Sequence, residues 1–183
     1  MTINKRWQFR FILFFGFAPL VVAWAMIGTG VGIPNGTSNH GELMSPGLIV
    51  PKQVTVLQDG RWGLVMIGDH CHKPCKDQLI LMQQVHKSLG KEFGRMQSIW
   101  FKDRDHELFP AVALNVAGGS NKASGQLTQQ MSRWLTQHQL PSDDYSIWLI
   151  DPMGNLVLRF TPGTDGRDIL TDIRFLLKAS KIG

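Results

Sequence analysis

The first pattern along the chain is a long apolar run. Between Arg10 and Glu42 there is no Lys, Arg, Asp or Glu. Inside that gap Phe11 to Val31 (FILFFGFAPLVVAWAMIGTGV) is almost wholly apolar. It spans about 21 residues, close to the ~20 that a helix needs to cross a bilayer core. Lys5, Arg6 and Arg10 flank only its leading end. That asymmetry predicts a cytoplasmic N-terminus and an exported remainder. Pro19 is compatible with a membrane helix. The division expected is residues 1–10 cytoplasmic, 11–31 a transmembrane anchor, 32–46 a linker and 47–183 an extracytoplasmic domain. The rival reading is a cleaved signal peptide, with Ala23-Trp24-Ala25 as the small-x-small site. The apolar run continues past that site, which favours the anchor. No cysteine follows closely, which argues against a lipid-anchored form.

Ile33 to Pro51 (IPNGTSNHGELMSPGLIVP) is rich in Gly, Pro, Asn and Ser. It reads as a linker or as an extended arm entering the domain. Beyond it, strand and helix patterns alternate. Val54 to Leu57 is a short β-prone run, closed by the turn signal Gln58-Asp59-Gly60. Gly63 to Gly68 (GLVMIG) is continuously apolar, as expected of a strand buried on both faces. From Cys75 the period becomes helical, with Leu79, Met82, Val85 or His86, Leu89 and Phe93 on one stripe. Gln97 to Phe101 and Ala111 to Val116 read as strands. Gln126 to His138 reads as a helix, with Leu127, Met131, Trp134 and Leu135 on one face. Ser146 to Ile150 is an apolar strand, Asp151-Pro152-Met153-Gly154-Asn155 a turn, and Leu156 to Phe160 its hairpin partner. Asp168 to Lys178 is a last helix facing Ile169, Ile173, Leu176 and Leu177 inward. The order β-α-β-β-α-β-β-α predicts an α/β sandwich on a mixed sheet, as in a thioredoxin-like fold. There is no internal repeat or low-complexity tract.

Composition changes this picture little. Of 183 residues 43% are hydrophobic, enough for a core. The net charge is +5, but without Lys5, Arg6 and Arg10 the balance falls to +2. With no basic run in the body, nucleic acid is not an expected partner. Ser-His-Asp order, a phosphate loop and paired C-x-x-C zinc spacing are all absent.

The chemistry concentrates at the two cysteines, Cys71-His72-Lys73-Pro74-Cys75. They follow a buried strand and open a helix. Unpaired N–H groups and partial positive charge at a helix start favour a thiolate, and Lys73 and Lys76 add to that field. On a helix, residues i and i+4 share a face, at a separation suited to a disulfide or a shared metal. A bridge closing so short a loop removes little unfolded-state entropy, so a purely stabilising role is the weaker explanation. Two soft thiolates suit Cu(I), and an added imidazole suits Cu(II). The same pair suits thiol–disulfide exchange. His70 and His72 flank Cys71 and are candidate ligands or plain loop residues. His40, His86, His106 and His138 carry weaker cases, and His86 on the helical stripe reads as a satisfied core histidine. Met66 and Met82 read as core.

An anchor, a buried strand, C-x3-C at a helix start and an apolar strand ending in Asp-Pro-x-Gly resemble the Sco/SenC group. More closely, they resemble its small membrane proteins associated with cytochrome c oxidase biogenesis. The segments that carry it are NHGELMSP, DHCHKPCKDQLILMQQVHKSLG and YSIWLIDPMGN. The resemblance implies a thioredoxin-like fold in the inner membrane of a bacterium, with its C-terminal domain in the periplasm. It implies oxidase subunits or other copper-delivery proteins as partners, a copper ion as cofactor or cargo, and Cys71 and Cys75 as the reactive and metal-binding pair. The activity would be copper delivery or maintenance of thiol redox state. The family's third copper ligand, a histidine before the apolar strand, maps near Asp143 or Asp144; His72 and His138 are the substitutes at hand. Pro74 precedes the second cysteine, as in thioredoxin, whereas most of the group place a proline after it. The alternatives are a general periplasmic thiol–disulfide oxidoreductase and a non-catalytic binding module with a structural disulfide.

Overall fold

The computed structural model describes residues 5–29, 39–68, 72–101, 122–123, 125–142 and 144–182. The chain forms two compact units, Met1–Ser38 and Asn39–Gly183. The first is helix α1, Lys5–Thr29. It exposes its apolar side chains all round, Ile12, Phe14 and Trp24 among them. A helix of this length rises about 1.5 Å per residue. By length and composition it is long and apolar enough to cross a membrane, and it fits a single-pass anchor.

The second unit is a three-layer sandwich on a six-stranded sheet of order β1-β6-β5-β2-β3-β4. The strands are β1 Glu42–Leu43, β2 Trp62–Ile67, β3 Met96–Phe101, β4 Lys122–Ala123, β5 Ile147–Ile150 and β6 Leu156–Phe160. β2 pairs parallel with β3 and antiparallel with β5. β5 and β6 form the expected hairpin, and β1 adds to the outer edge of β6. The helices are α2 Lys52–Gln58, α3 Lys73–Lys87, α4 Gly125–Gln137 and α5 Gly166–Ala179, with a 3₁₀ segment at Gly90–Arg95.

Alternation along the central strands sorts the core into two layers. Leu64, Met66, Ile147 and Leu149 point to one face and pack with Leu79, Met82 and Val85 of α3 and Ile169, Ile173 and Leu177 of α5. Val65, Ile67, Trp148 and Ile150 point to the other and pack with Val54 of α2 and Met131 and Leu135 of α4. The thioredoxin-like sandwich expected from the sequence is the observed fold.

Two expected elements differ. The helical stripe expected to run on to Leu89 and Phe93 ends with α3 at Lys87; Leu89 caps the 3₁₀ segment and Phe93 lies within it. Val54 to Leu57 is part of helix α2, not a strand. β-Branched residues favour strands only weakly, and packing overrides them. Here Val54 inserts into the core at 1% exposure, and buried Gln58 donates its side-chain N–H₂ to the carbonyls of Ile150 and Asp151. Asp59 and Gly60 then turn the chain at φ 53° and 72°. The expected strand 111–116 and His106 lie outside the described residues.

The Asp-Pro-x-Gly turn explains itself structurally. Asp151 accepts from the backbone N–H of Met153 and Asn155 and from the Asn155 side chain. β5 runs antiparallel to β2, so Ile150 pairs with Gly63 at the start of β2. The turn therefore lies at the end of the sheet away from the C-terminus of β2, where the cysteine segment begins.

Candidate functional site

β2 is buried along its whole length, and its last backbone bond runs from Gly68 N–H to the Phe101 carbonyl at 3.0 Å. Asp69, His70 and Cys71 lie outside the described residues. The chain re-enters at His72, the extended N-cap of α3. Lys73 and Pro74 are the first two helical positions, where the fixed φ of proline fits a helix start and its missing N–H costs nothing. The His72 carbonyl accepts from Lys76 N–H at 3.1 Å, closing the first turn. Cys75 is the third helical residue, with no exposed surface, and it is disulfide-bonded. Cys71 is the chain's only other cysteine. α3 has no acidic residue in its first turn, so the field of the helix start acts on Cys75 without an opposing carboxylate there.

Opposite Cys75 stands the segment that leads into β5. A Cβ placed on Gly68 would lie 3.3 Å from Cys75 Sγ and 3.2 Å from Cδ1 of the Tyr145 ring. Gly68 thus leaves room for sulfur and ring to approach the same point. Tyr145 has φ 56°, a left-handed conformation that costs a non-glycine residue about 1–2 kcal/mol. Its neighbours are tied down. Ser146 donates from N–H and Oγ to the Asp144 carboxylate at 3.1 and 2.7 Å. Arg159 of β6 donates from Nε to Ser146 Oγ at 3.1 Å and through its guanidinium to Asp144. The same guanidinium pairs with Glu42 of β1 at 2.8 Å and lies over the Trp148 ring, 5.5 Å from its centroid. Burial pushes the Asp144 carboxyl up, but hydrogen bonds from Ser146 and Arg159 outweigh it and hold the group below the usual carboxylate range.

Residues 62–180 match the family described as transmembrane-like, thioredoxin-like, C-terminal domain. The chain belongs to that family. The match covers both the cysteine segment and the Tyr145 segment, and it spans more than half of the chain. Among solved structures, apo Sco1 from Thermus thermophilus is similar at TM-score 0.55 and 16% identity, covering 78% of this chain and 99% of that one. ScoI of Arabidopsis thaliana, solved with copper bound, is similar at TM-score 0.50 and 16% identity, covering 66% and 86%. The fold is therefore shared with Sco proteins. No curated protein matches the chain in sequence.

The candidate histidines fall in different places. His72 is exposed at the start of α3. His138 is exposed at the far end of α4, its Nδ1 2.8 Å from the Trp134 carbonyl and its ring tilted at 38° against Trp134. α4 follows β4, which pairs with the C-terminal end of β3. Its 13 residues, at about 1.5 Å each, carry His138 away from that end. His86 is a core histidine, as expected: it is 3% exposed, stacked on Phe93, with Nδ1 2.9 Å from Ser98 Oγ and Nε2 3.1 Å from the Phe93 carbonyl. His40 sits against Asp172 and Asp168 of α5.

Among the described residues, which do not include His70 or Cys71, there is no group of three His, Cys, Asp or Glu side chains able to hold a metal. At the position before β5 stand Asp144, already engaged by Arg159 and Ser146, and Tyr145. Sequence reasoning singled out the absence of a histidine there but not Tyr145 or Arg159. Tyr145 is the chain's only tyrosine, yet its left-handed backbone leaves no mark in the sequence. Arg159 sits on the outward phase of an alternating strand and reads as a solvated charge.

Proposed function

We propose that this protein is a membrane-anchored assembly factor for cytochrome c oxidase that works by thiol–disulfide exchange through Cys71 and Cys75, keeping cysteine ligands of the oxidase's copper centres reduced. The observation that carries this reading is the state and position of Cys75: fully buried, at a helix start, and disulfide-bonded, in a Sco-type frame. A buried second cysteine suits the resolving role, leaving attack on partners to Cys71. In the reductive direction a Cys71 thiolate attacks one sulfur of a partner disulfide, and the other partner sulfur leaves as a thiolate. Cys75, losing its proton, then attacks Cys71 in the mixed disulfide and expels the second partner sulfur. Two electrons and two protons reach the partner, and the pair ends as the disulfide. A dithiol donor protein on the same side of the membrane returns it to the reduced state. In this reading the chemistry takes place at a bacterial inner membrane, beside the oxidase subunits being assembled, with the domain on the periplasmic side; the helix that fits a single-pass anchor supports it.

The test is trapping. Full chain carrying Cys75→Ser, expressed in the native membrane, should accumulate a mixed disulfide with an oxidase subunit or another copper-delivery protein. Normal oxidase assembly with Cys71→Ser/Cys75→Ser would reduce the pair to a staple and end the proposal.

A second reading, favoured by the softness of two thiolates, takes Cu(I) as cargo on the reduced pair. Competitive Cu(I) titration of the reduced full chain in detergent tests it. Equal affinity in the Cys71→Ser/Cys75→Ser variant would remove copper from the account.

A further inference from the structure

The Arg159 network has no part in the exchange chemistry just described, yet it flanks Tyr145, whose ring borders the same space at Gly68 as the Cys75 sulfur. Three observations connect the two. Tyr145 keeps a left-handed backbone at φ 56°, a conformation that persists only where its surroundings over-determine it. The residues on both sides of it, Asp144 and Ser146, are bonded to each other and to the single guanidinium of Arg159. The ring so presented meets Gly68 at the point that Cys75 Sγ also approaches. Arg159 is itself only 16% exposed and is fixed from the other side by Glu42 and Trp148.

We infer that Arg159, by gripping Asp144 and Ser146, holds the Tyr145 ring against Cys75 and thereby sets how strongly the disulfide of Cys75 is favoured. Tyr145 and Arg159 are positioning residues: neither exchanges electrons or protons. The ring lines the same space beside Gly68 as the oxidised, fully buried sulfur, so its loss disfavours the disulfide relative to the dithiol. Backbone strain at Tyr145 is borne by the Arg159 contacts, and weakening those contacts lets the ring withdraw. This inference rests on the thiol–disulfide reading above.

The experiment is equilibration of the full chain in detergent with reduced and oxidised glutathione, reading the oxidised fraction by thiol alkylation and mass. The balance is one protein dithiol plus one oxidised glutathione giving one protein disulfide plus two reduced glutathiones. Tyr145→Ala should lower the oxidation constant about tenfold, equivalent to about 30 mV for this two-electron couple. Tyr145→Phe keeps the ring and should stay within twofold of the parent. Arg159→Met and Asp144→Asn should shift the constant in the same direction as Tyr145→Ala by several-fold. Asp144→Asn preserves shape, so it reports even where Arg159→Met fails to fold. An unchanged constant in Tyr145→Ala overturns the inference. A shift in Tyr145→Ala with none in Asp144→Asn overturns the role of Arg159. A parent chain that forms no reversible Cys71–Cys75 disulfide overturns the thiol–disulfide reading itself, a result distinct from either.

Discussion

Gly68 and Cys75 meet across the end of β2, with a Cβ on the glycine standing 3.3 Å from the cysteine sulfur. That is closer than ordinary side-chain contact, and the Tyr145 ring closes the same space at 3.2 Å. Cys75 has no exposed surface into which it can move. Gly68→Ala should therefore destabilise the domain by about 1–3 kcal/mol through overpacking, and Gly68→Val by more. Urea unfolding of the full chain in detergent checks this. An alanine variant as stable as the parent would mean that sulfur and ring shift without cost.

His40 and Asp172 predict a pH dependence at the entrance to the domain. Asp172 is 5% exposed and accepts from the backbone N–H of His40 and Gly41 and from His40 Nδ1, at 2.7, 2.9 and 3.0 Å. The hydrogen bond to Asp172 raises the His40 pKa above 6.5, with Asp168 adding to it against partial burial. A histidine raised in the folded state contributes fully below its unfolded value of 6.5, and the contribution is lost as pH rises through the folded value. The stability difference between the parent and His40→Gln should be largest in mild acid and shrink toward alkaline pH. A difference constant across that range would show that His40 acts through packing alone.

His86 runs the other way. Burial lowers its pKa below 6.5, against the bond to the Phe93 carbonyl, so the folded chain keeps it neutral. Below pH 6.5 the unfolded chain binds a proton that the folded chain refuses, and stability falls with pH. His86→Gln should flatten this acid-side loss while lowering stability near neutrality by about 1–3 kcal/mol, since Ser98 loses a buried partner. Unfolding midpoints across the acid range decide it; an unchanged acid slope would clear His86.

What the sequence made legible was periodicity. The apolar run of β2, the stripe of α3 from Leu79 to His86 and the Asp151 turn are local patterns with local causes, and each is found where the pattern placed it. Val54 to Val56 misled because three β-prone residues say nothing of the Gln58 bonds made 92 and 93 positions away. The site was half legible for the same reason. Cys75 announces itself by spacing, but the surroundings of its sulfur come from Tyr145 and from Arg159, which lie 70 or more positions along the chain. His40 and Asp172 are 132 positions apart and individually unremarkable.

Gly154 bears on the hairpin. Its φ of 90° is a left-handed value, and a Cβ there would stand 2.6 Å from Thr55 Cγ2 of α2. Strain and clash therefore add. Gly154→Ala should cost about 1–3 kcal/mol, with Thr55→Ser recovering the steric part. No recovery in the double variant would assign the whole cost to backbone conformation.

The last prediction concerns the N-terminal helix. α1 begins at Lys5, before the apolar run, and continues to Thr29, past Ala25. A cleaved signal would end at a small residue soon after a short apolar stretch, whereas this helix is long enough to span the bilayer without interruption. The basic residues at its leading end and the absence of charge behind it predict a domain that faces outward. The mature chain should retain Lys5 and Arg6, stay in the membrane after an alkaline wash, and react from outside with a membrane-impermeant maleimide once its disulfide is reduced. Reversing the flanking charge with Lys5→Glu, Arg6→Glu and Arg10→Glu should cut that outside labelling severalfold. A mature N-terminus at Met26 would show that the segment is removed, and labelling unaffected by charge reversal would show that orientation is set elsewhere.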